Sequence, residues 1–238
     1  MISVTVIAKN SQATLSRCLN SVKNIADDLV VVVDPATGDD TARIAKELGA
    51  RVFYRPFDDF SSQKSYCLSK TRHDWVLSLD ADEWISHQLA GQIVTAISSE
   101  KYAAYKIPRL NIIFGRPINY SNWSPRDDTH IWLFKKSAST WQGQVHEEIA
   151  VRGPVGELTG LKYHLNYTSV DQFITRLNLY TSREAESSRM YVHPLTDFFR
   201  RFIWHQGFRD GWHGFFLSYL MLIYHLSAWV KSKTITTS

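Results

Sequence analysis

The 238-residue chain has no glycine-rich phosphate loop. Neither G-x-G-x-x-G nor a P-loop occurs, which weighs against dinucleotide-dependent dehydrogenases and P-loop NTPases. Lys9-Asn10-Ser11-Gln12 follows the first apolar segment with no glycine, which also argues against a nucleotidyltransferase. Cysteine is scarce: Cys18 and Cys67 are the only two, each inside a segment that reads as helix. No disulfide framework is expected, and a reducing, cytoplasmic setting follows. No basic stretch followed by an apolar run and a cleavage site opens the chain, so no leader peptide is expected. His146-Glu147-Glu148-Ile149-Ala150 carries alanine where an H-E-x-x-H metalloprotease needs its second histidine. There is no internal repeat, no low-complexity linker and no recognisable nucleic-acid module, so no nucleic-acid partner is expected. The sequons at Asn122 and Asn166 are chance matches in a cytoplasmic protein.

What remains is ordinary in bulk and uneven in distribution. The composition is 44% hydrophobic and 21% charged, suited to a folded core. Aromatic residues reach 13%, with eight tryptophans, and the net charge is +4. The last 69 residues hold 8 basic against 5 acidic side chains and so carry most of that surplus. A basic, aromatic C-terminal segment suits an anionic surface.

The first hundred residues alternate strand and helix. Ile2 to Ala8 is a short β-branched run, Leu29 to Val33 a second apolar strand, and Arg51 to Tyr54 and Trp75 to Leu79 read as a third and a fourth. Between them lie helical spacings. Leu15, Leu19 and Val22 follow a cap at Asn10 or Ser11; Ala42, Ala45 and Leu48 follow Asp39 or Asp40. A third helix is predicted from Ser61 or Ser62 to about Lys70, and a fourth, capped by Ser86, carries Leu89, Ile93 and Ile97. This alternation predicts an α/β fold, a mostly parallel Rossmann-like sheet with helices on both faces. Ligands of such sheets bind beyond the carboxyl ends of the strands, which here are Ala8 to Asn10, Asp34 and Asp80 to Glu83. Residues 101–168 turn to alternating strands with loop punctuation. From Ser169 the chain reads as a helical extension, with Phe173, Leu177 and Tyr180 on one face.

Asp80-Ala81-Asp82 is the central motif. Two carboxylates at i and i+2, on a turn leaving a buried strand, can share a diphosphate-bound hard cation, Mg²⁺ or Mn²⁺. The bland alternative is a solvated acidic loop. The segments VTVIAKN at Val4 to Asn10, VVVDPATGDDT at Val31 to Thr41 and WVLSLDADEW at Trp75 to Trp84 resemble family 2 glycosyltransferases of the GT-A fold. The resemblance leans to the bacterial branch that builds lipopolysaccharide cores. WLFKK at Trp132, WQGQVHEEI at Trp141 and KYHLNYTS at Lys162 extend it over most of the chain.

The resemblance implies a GT-A domain over 1–168, with a nucleotide-sugar half at 1–100 and an acceptor half at 101–168, followed by the extension at 169–238. It implies Asp34 at the nucleotide base, flanked by the strand end from Ala8 to Asn10, with Lys64 near the nucleotide. It places Asp80 at the ribose or metal and Asp82 on the metal. His164 or His146 completes the metal shell. Pro35-Ala36-Thr37-Gly38 stands where the family has a Ser-Gly-Ser stretch, a departure that puts backbone contacts of that loop in question. Glu83 either extends the motif or braces its loop. Inverting transfer needs a general base for the acceptor hydroxyl, and Glu147, rather than Glu148, is the candidate.

Gly214 to Val230 is the longest apolar stretch, at or just below the roughly 17 to 20 residues that a spanning helix needs. Its aromatics and flanking Arg209, Lys231 and Lys233 suit a helix lying in the membrane interface; the alternative is a helix packed on its own domain or on a partner. The expectation is an inverting, metal-dependent transferase, peripheral on the cytoplasmic face of the inner membrane. Its expected partners are a nucleotide-sugar donor, by lean a UDP-hexose, and a glycan or lipid-linked acceptor. A membrane-attached scaffold that binds nucleotide-sugar without turnover, or a nucleotidyltransferase of similar sheet, stays as an alternative.

Overall fold

The computed structural model describes residues 1–143, 148–186 and 193–235, and only the backbone at 183, 185, 186 and 235. Its order is β1 (Ile2–Ala8), α1 (Leu15–Val22), β2 (Asp28–Val33), α2 (Thr41–Glu47), β3 (Arg51–Tyr54), α3 (Phe60–Ser69), β4 (Trp75–Asp80), β5 (Glu83–Ile85) and α4 (His87–Ile97). There follow β6 (Ala104–Ile113), β7 (Arg116–Pro117), β8 (Thr129–Lys135), β9 (Ser139–Gln142), β10 (Glu148–Val151), β11 (Val155–Glu157) and β12 (Lys162–Tyr167). Helices α5 (Val170–Glu186), α6 (Pro194–Phe199) and α7 (Trp212–Ile235) complete the chain. Two compact units result, one of residues 1–109 and 129–164, the other of 110–128 and 165–238. The chain passes between them at 164–165, and the excursion 110–128 groups with the C-terminal helices.

The first unit is built on a sheet in the order β3-β2-β1-β4-β8-β6. β1 pairs in parallel with β2 and β4, and β2 with β3; β8 then pairs antiparallel with both β4 and β6. Val4, Val6, Val31, Val33, Leu77 and Leu79 are buried, as expected of central parallel strands covered on both faces. Helix α1 buries Leu15, Cys18, Leu19 and Val22, the i, i+3, i+4, i+7 pattern that turns one stripe inward. Each such leucine contributes about 2 kcal/mol of burial.

One expected helix cap and one expected helix start are corrected. α1 begins at Leu15 with Thr14 at the cap position, because the Ser11 carbonyl accepts from the Thr14 and Leu15 N–H groups in a preceding turn. α3, expected to start at Ser61 or Ser62, starts at Phe60 and is capped by Asp59, whose carboxylate accepts from the Ser62 N–H at 2.8 Å. Ser86 does cap α4, accepting from Leu89 N–H at 3.1 Å. Gly160 sits against that first turn, where any Cβ would fall 2.5 Å from the Leu89 backbone, so glycine lets the approach to β12 pass close to α4.

The second unit packs α5 and α7 around Ile113, Ile118, Phe173, Leu177, Leu217 and Leu220. Tyr180, expected on the buried face of α5, is 40% exposed, and Thr181 takes the inward position. The hinge between α6 and α7 is a π-helical turn, Arg200–Trp204, then a 3-10 turn, Gly207–Asp210. Gly214 lets α7 cross that turn, since a Cβ there would overlap the Gly207 carbonyl. Asp197 ties the hinge together. Its buried carboxylate accepts from Arg200, Arg201 and His225. Among the described residues no helix is long and apolar enough to cross a membrane.

Burial alone would raise the Asp197 pKa, but hydrogen bonds from His225 and Arg201, with the arginine charges, hold it well below the usual carboxylate range. A depressed carboxylate stabilises the fold above its unfolded pKa near 3.9 and loses that contribution as pH falls through the lower folded value. Asp197→Ala is expected to cost about 3 kcal/mol at pH 7, because it leaves the largely buried Arg201 and His225 without their shared partner. In thermal melts the gap to wild type should narrow below about pH 4; equal melting temperatures at pH 7 would contradict the assignment.

Candidate active site

Every described side chain of the site lies in the first unit, at the carboxyl ends of its parallel strands. β1 is the centre strand. Its Ala8 lies opposite Val33 of β2 on one side, and its Ile7 opposite Asp80 of β4 on the other. Asp34 and Asp80 therefore flank β1 two strand spacings apart, roughly 10 Å.

The Asp34 side is a closed hydrogen-bonded loop. The Asp34 N–H donates to the Ala8 carbonyl, and its carboxylate accepts from Ala36 N–H at 2.9 Å and pairs with Lys9 Nζ at 2.7 Å. The Lys9 and Ala36 bonds hold its pKa below the usual value. Asn10, in a left-handed conformation with φ of 48°, accepts from Gly38 N–H at 2.9 Å. Pro35 to Gly38 is thus anchored by side chains from the β1 end, and the Asn10 oxygen is committed to that anchor.

The Asp80 side is organised by Glu83. Glu83 is fully buried, with both carboxylate oxygens 2.7 Å from Lys162 Nζ, itself fully buried. One oxygen also accepts from the Asp80 N–H at 2.9 Å, and Arg109 stands 3.4 Å from the other. The Lys162 ammonium lies 3.2 Å from the centre of the Trp132 ring. Burial lowers the Lys162 pKa to about 8 against the opposing pull of Glu83, leaving it mostly charged at neutral pH. Cys18 closes the turn from below, its thiol donating to the Asp80 carbonyl at 3.6 Å. Burial raises that thiol's pKa, so it is inert.

With its backbone held, the turn presents its two aspartates separately. Asp80 Oδ1 is 3.2 Å from Lys64 Nζ, and Lys64 is buried beneath Trp132 and Trp141. Burial would raise the Asp80 pKa, but the charges of Lys64 and Lys162 prevail and lower it. Asp82 is more open, its side chain 36% exposed, with Oδ2 at 3.8 Å from His164 Nε2. His164 reaches this place because β12 pairs antiparallel with β5, setting His164 opposite Glu83 and Lys162 opposite Ile85. Lys162 and His164 stand two apart on one strand and so share a face. Burial pushes the His164 pKa down to about 4, so its imidazole is neutral and can offer a ring nitrogen as a ligand.

These residues suit a divalent cation. A separation of 3.8 Å is too long for a hydrogen bond, yet two ligands on one octahedral Mg²⁺ at about 2.1 Å lie roughly 3 to 4 Å apart. No group of three or more His, Cys, Asp or Glu among the described residues could hold a metal unaided. That fits a cation that takes one or two protein ligands and completes its shell on substrate phosphates.

Of the sequence-predicted residues, the structure brings together Asp80 with Lys64, Asp82 with His164, and Ala8 with Asp34. His146 and Glu147 lie outside the described residues. Glu148 begins β10, opposite Gln142. Lys162 was not singled out from the sequence. Its signal is the Lys162-Tyr163-His164 alternation, which places a cation and an imidazole on one strand face as the Asp80-Ala81-Asp82 spacing places two acids on one turn.

Parallel strands whose ends carry Asp34 and the Asp80–Asp82 turn, followed by antiparallel β8 and β6, define a GT-A glycosyltransferase fold. Glucosyl-3-phosphoglycerate synthase from Mycobacterium tuberculosis, solved with Mn²⁺, UDP and phosphoglyceric acid, superposes with a TM-score of 0.51 at 16% identity over 73% of each chain. The family model for glycosyl transferase family 2 matches residues 3–148. The glycosyltransferase RP128 of Rickettsia prowazekii, itself uncharacterized, is 31% identical over 100% of this chain and 90% of its own length. The lipopolysaccharide core biosynthesis glycosyltransferase LpsC of Rhizobium meliloti is 24% identical over 78% of this chain and 70% of its own. The chain belongs to glycosyl transferase family 2.

Glu83→Ala should strand Lys162 in a dry interior and cost about 3 to 5 kcal/mol, seen as a lowered urea midpoint. Replacing both partners, Glu83→Leu with Lys162→Met, should recover most of that loss. A single variant as stable as wild type would show that the pair does not brace the turn.

Proposed function

We propose that the chain is an inverting hexosyltransferase using a nucleotide-sugar, by preference a UDP-hexose, with Mg²⁺ or Mn²⁺ held by Asp82 and His164. The observation that carries this reading is the facing of the Asp82 carboxylate and a neutral His164 imidazole at 3.8 Å, beside Asp80 at the end of β4. The Mn²⁺ and UDP bound by the mycobacterial fold neighbour lend support. A bound cation supplies neutralisation of charge on the departing diphosphate and a template for it.

The chain's own residues do the rest. Asp34, kept ionised by Lys9, accepts a hydrogen bond from the nucleotide base, and the Ala8 to Asn10 strand end flanks the nucleoside. Lys64 orients Asp80 for the ribose or the metal and adds positive charge beneath it. Glu147 takes the proton of the acceptor hydroxyl as that oxygen bonds to the anomeric carbon. The bond from that carbon to the diphosphate breaks, and the nucleoside diphosphate leaves with its electron pair. The acceptor is a glycan or lipid-linked sugar of a bacterial envelope, in line with the name of LpsC, met by peripheral contact at the cytoplasmic face of the inner membrane.

The test is slow hydrolysis of a nucleotide-sugar panel in Mg²⁺ or Mn²⁺, which needs no acceptor. One donor should be cleaved well above background, and Asp82→Ala or a chelator should reduce that rate at least 100-fold, the scale of losing one electrostatic contact to the leaving group. Undiminished turnover in Asp82→Ala would remove the metal role.

A further inference from the structure

The C-terminal unit carries an aromatic surface that its own core does not use. Phe198, Phe199 and Phe202 of the α6 hinge meet Phe208 and Phe215 in one cluster, with ring centres 5.4 to 6.3 Å apart between successive partners. Unlike a core cluster, it opens outward: Phe199 is 58% exposed, Phe208 50% and Phe215 50%. Leu195 and Ile203 extend it along the hinge at helical spacing from Phe199, and Trp212 and Tyr219 along α7 from Phe215, all about half exposed or more. Trp204, in the same hinge, is 83% exposed. Soluble surfaces scatter such residues singly, whereas a contiguous patch of them marks an interaction site.

Charge selects the occupant. Residues 193–235 hold five basic side chains and two acidic ones. Both acids are committed internally. Asp197 is buried under Arg200, Arg201 and His225, and Asp210 accepts from the Asn119 and Tyr120 N–H groups. Arg200, 47% exposed and paired with Asp197, follows Phe199 in sequence, and exposed Arg209, over the Tyr120 ring, follows Phe208. Phe, Trp and aliphatic side chains on short helices rimmed by arginine match the headgroup and acyl boundary of an anionic bilayer.

We infer that this face, centred on Phe199, Phe208 and Phe215, is where the protein seats on an anionic lipid surface. The inference deepens the proposed membrane-side transferase by giving it a docking surface. The sequence expectation placed the contact on Gly214 to Val230; of that stretch Leu217, Ser218, Leu220 and Ala228 are buried, while Phe215 and Tyr219 lie on its exposed side, and the face now extends to α6 and the turns after it.

The test is co-sedimentation of the full chain with phosphatidylcholine vesicles, with and without 30% phosphatidylglycerol, beside the double variant Phe199→Glu, Trp204→Glu. Both positions are exposed, so folding should be kept, which circular dichroism checks. The wild type is expected to partition onto the anionic vesicles, several-fold less onto neutral ones, and the variant at least 10-fold less onto either. Nucleotide-sugar hydrolysis in solution should be the same in both proteins. A wild type left in the supernatant, or a variant that binds vesicles equally, overturns the inference. So does a wild type whose ultracentrifugal dimer is lost in the variant, which would give the face to a second copy. Vesicle binding without hydrolysis of any donor would leave the surface standing and refute the transferase reading alone.

Discussion

A buried ion pair, Glu83 with Lys162, fixes the shape of the candidate site. Moving two charges out of water costs several kcal/mol each, and their attraction offsets this only with close geometry and further partners. Both are present. Two oxygens lie at 2.7 Å from one ammonium, the Asp80 N–H binds one oxygen, and the Trp132 face covers the lysine. Hydrophobic side chains of equal volume could fill the space, but they would not hold the Asp80 N–H or set the direction of the turn. The pair's use is positional. It makes the backbone of a two-aspartate turn rigid, so that its side chains are set by the fold and not by solvent.

From that constraint the division of labour follows. Asp80 turns inward to Lys64, and Asp82 turns outward to His164. Desolvation keeps His164 neutral, so an imidazole and a carboxylate of unlike charge face the same space. Such a pair attracts a divalent cation, which an imidazolium would repel, and it leaves most of the shell to phosphate oxygens. Across β1, Asp34 is held by Lys9 and by its own loop. The strand order sets the distance between these two sides, and no side chain has to span it.

The parallel half of the fold was legible because its strands stand as short apolar runs between helical spacings, β1 and β2 as β-branched runs above all. The acids were legible too, since Asp34, Asp80 and Asp82 all stand where such a strand stops. Ends of helices were less so. The α1 cap depends on a turn of backbone hydrogen bonds from Ser11 that no side-chain preference announces, and Asp59 and Ser61 or Ser62 are equally good caps on paper. The Glu83 to Lys162 pair spans 79 residues and depends on β12 pairing with β5, a register that periodicity within either segment does not contain. Likewise the hinge of α6 reads only as an aromatic, basic run. Its division into an inward Asp197 and an outward phenylalanine face appears once the helices are packed.

The first unit buries charge to orient a turn; in the second, Asp197 is buried while phenylalanine and tryptophan rings of residues 199–215 stand exposed. The account's central claim is that the braced turn and His164 together receive one divalent cation when a nucleoside diphosphate is present. Electron paramagnetic resonance of Mn²⁺ titrated into the protein with UDP tests it most directly. The wild type should bind one Mn²⁺ per chain, and Asp82→Asn and His164→Ala should each weaken that binding at least 10-fold. Binding of Mn²⁺ and UDP that is indifferent to both substitutions would contradict the account.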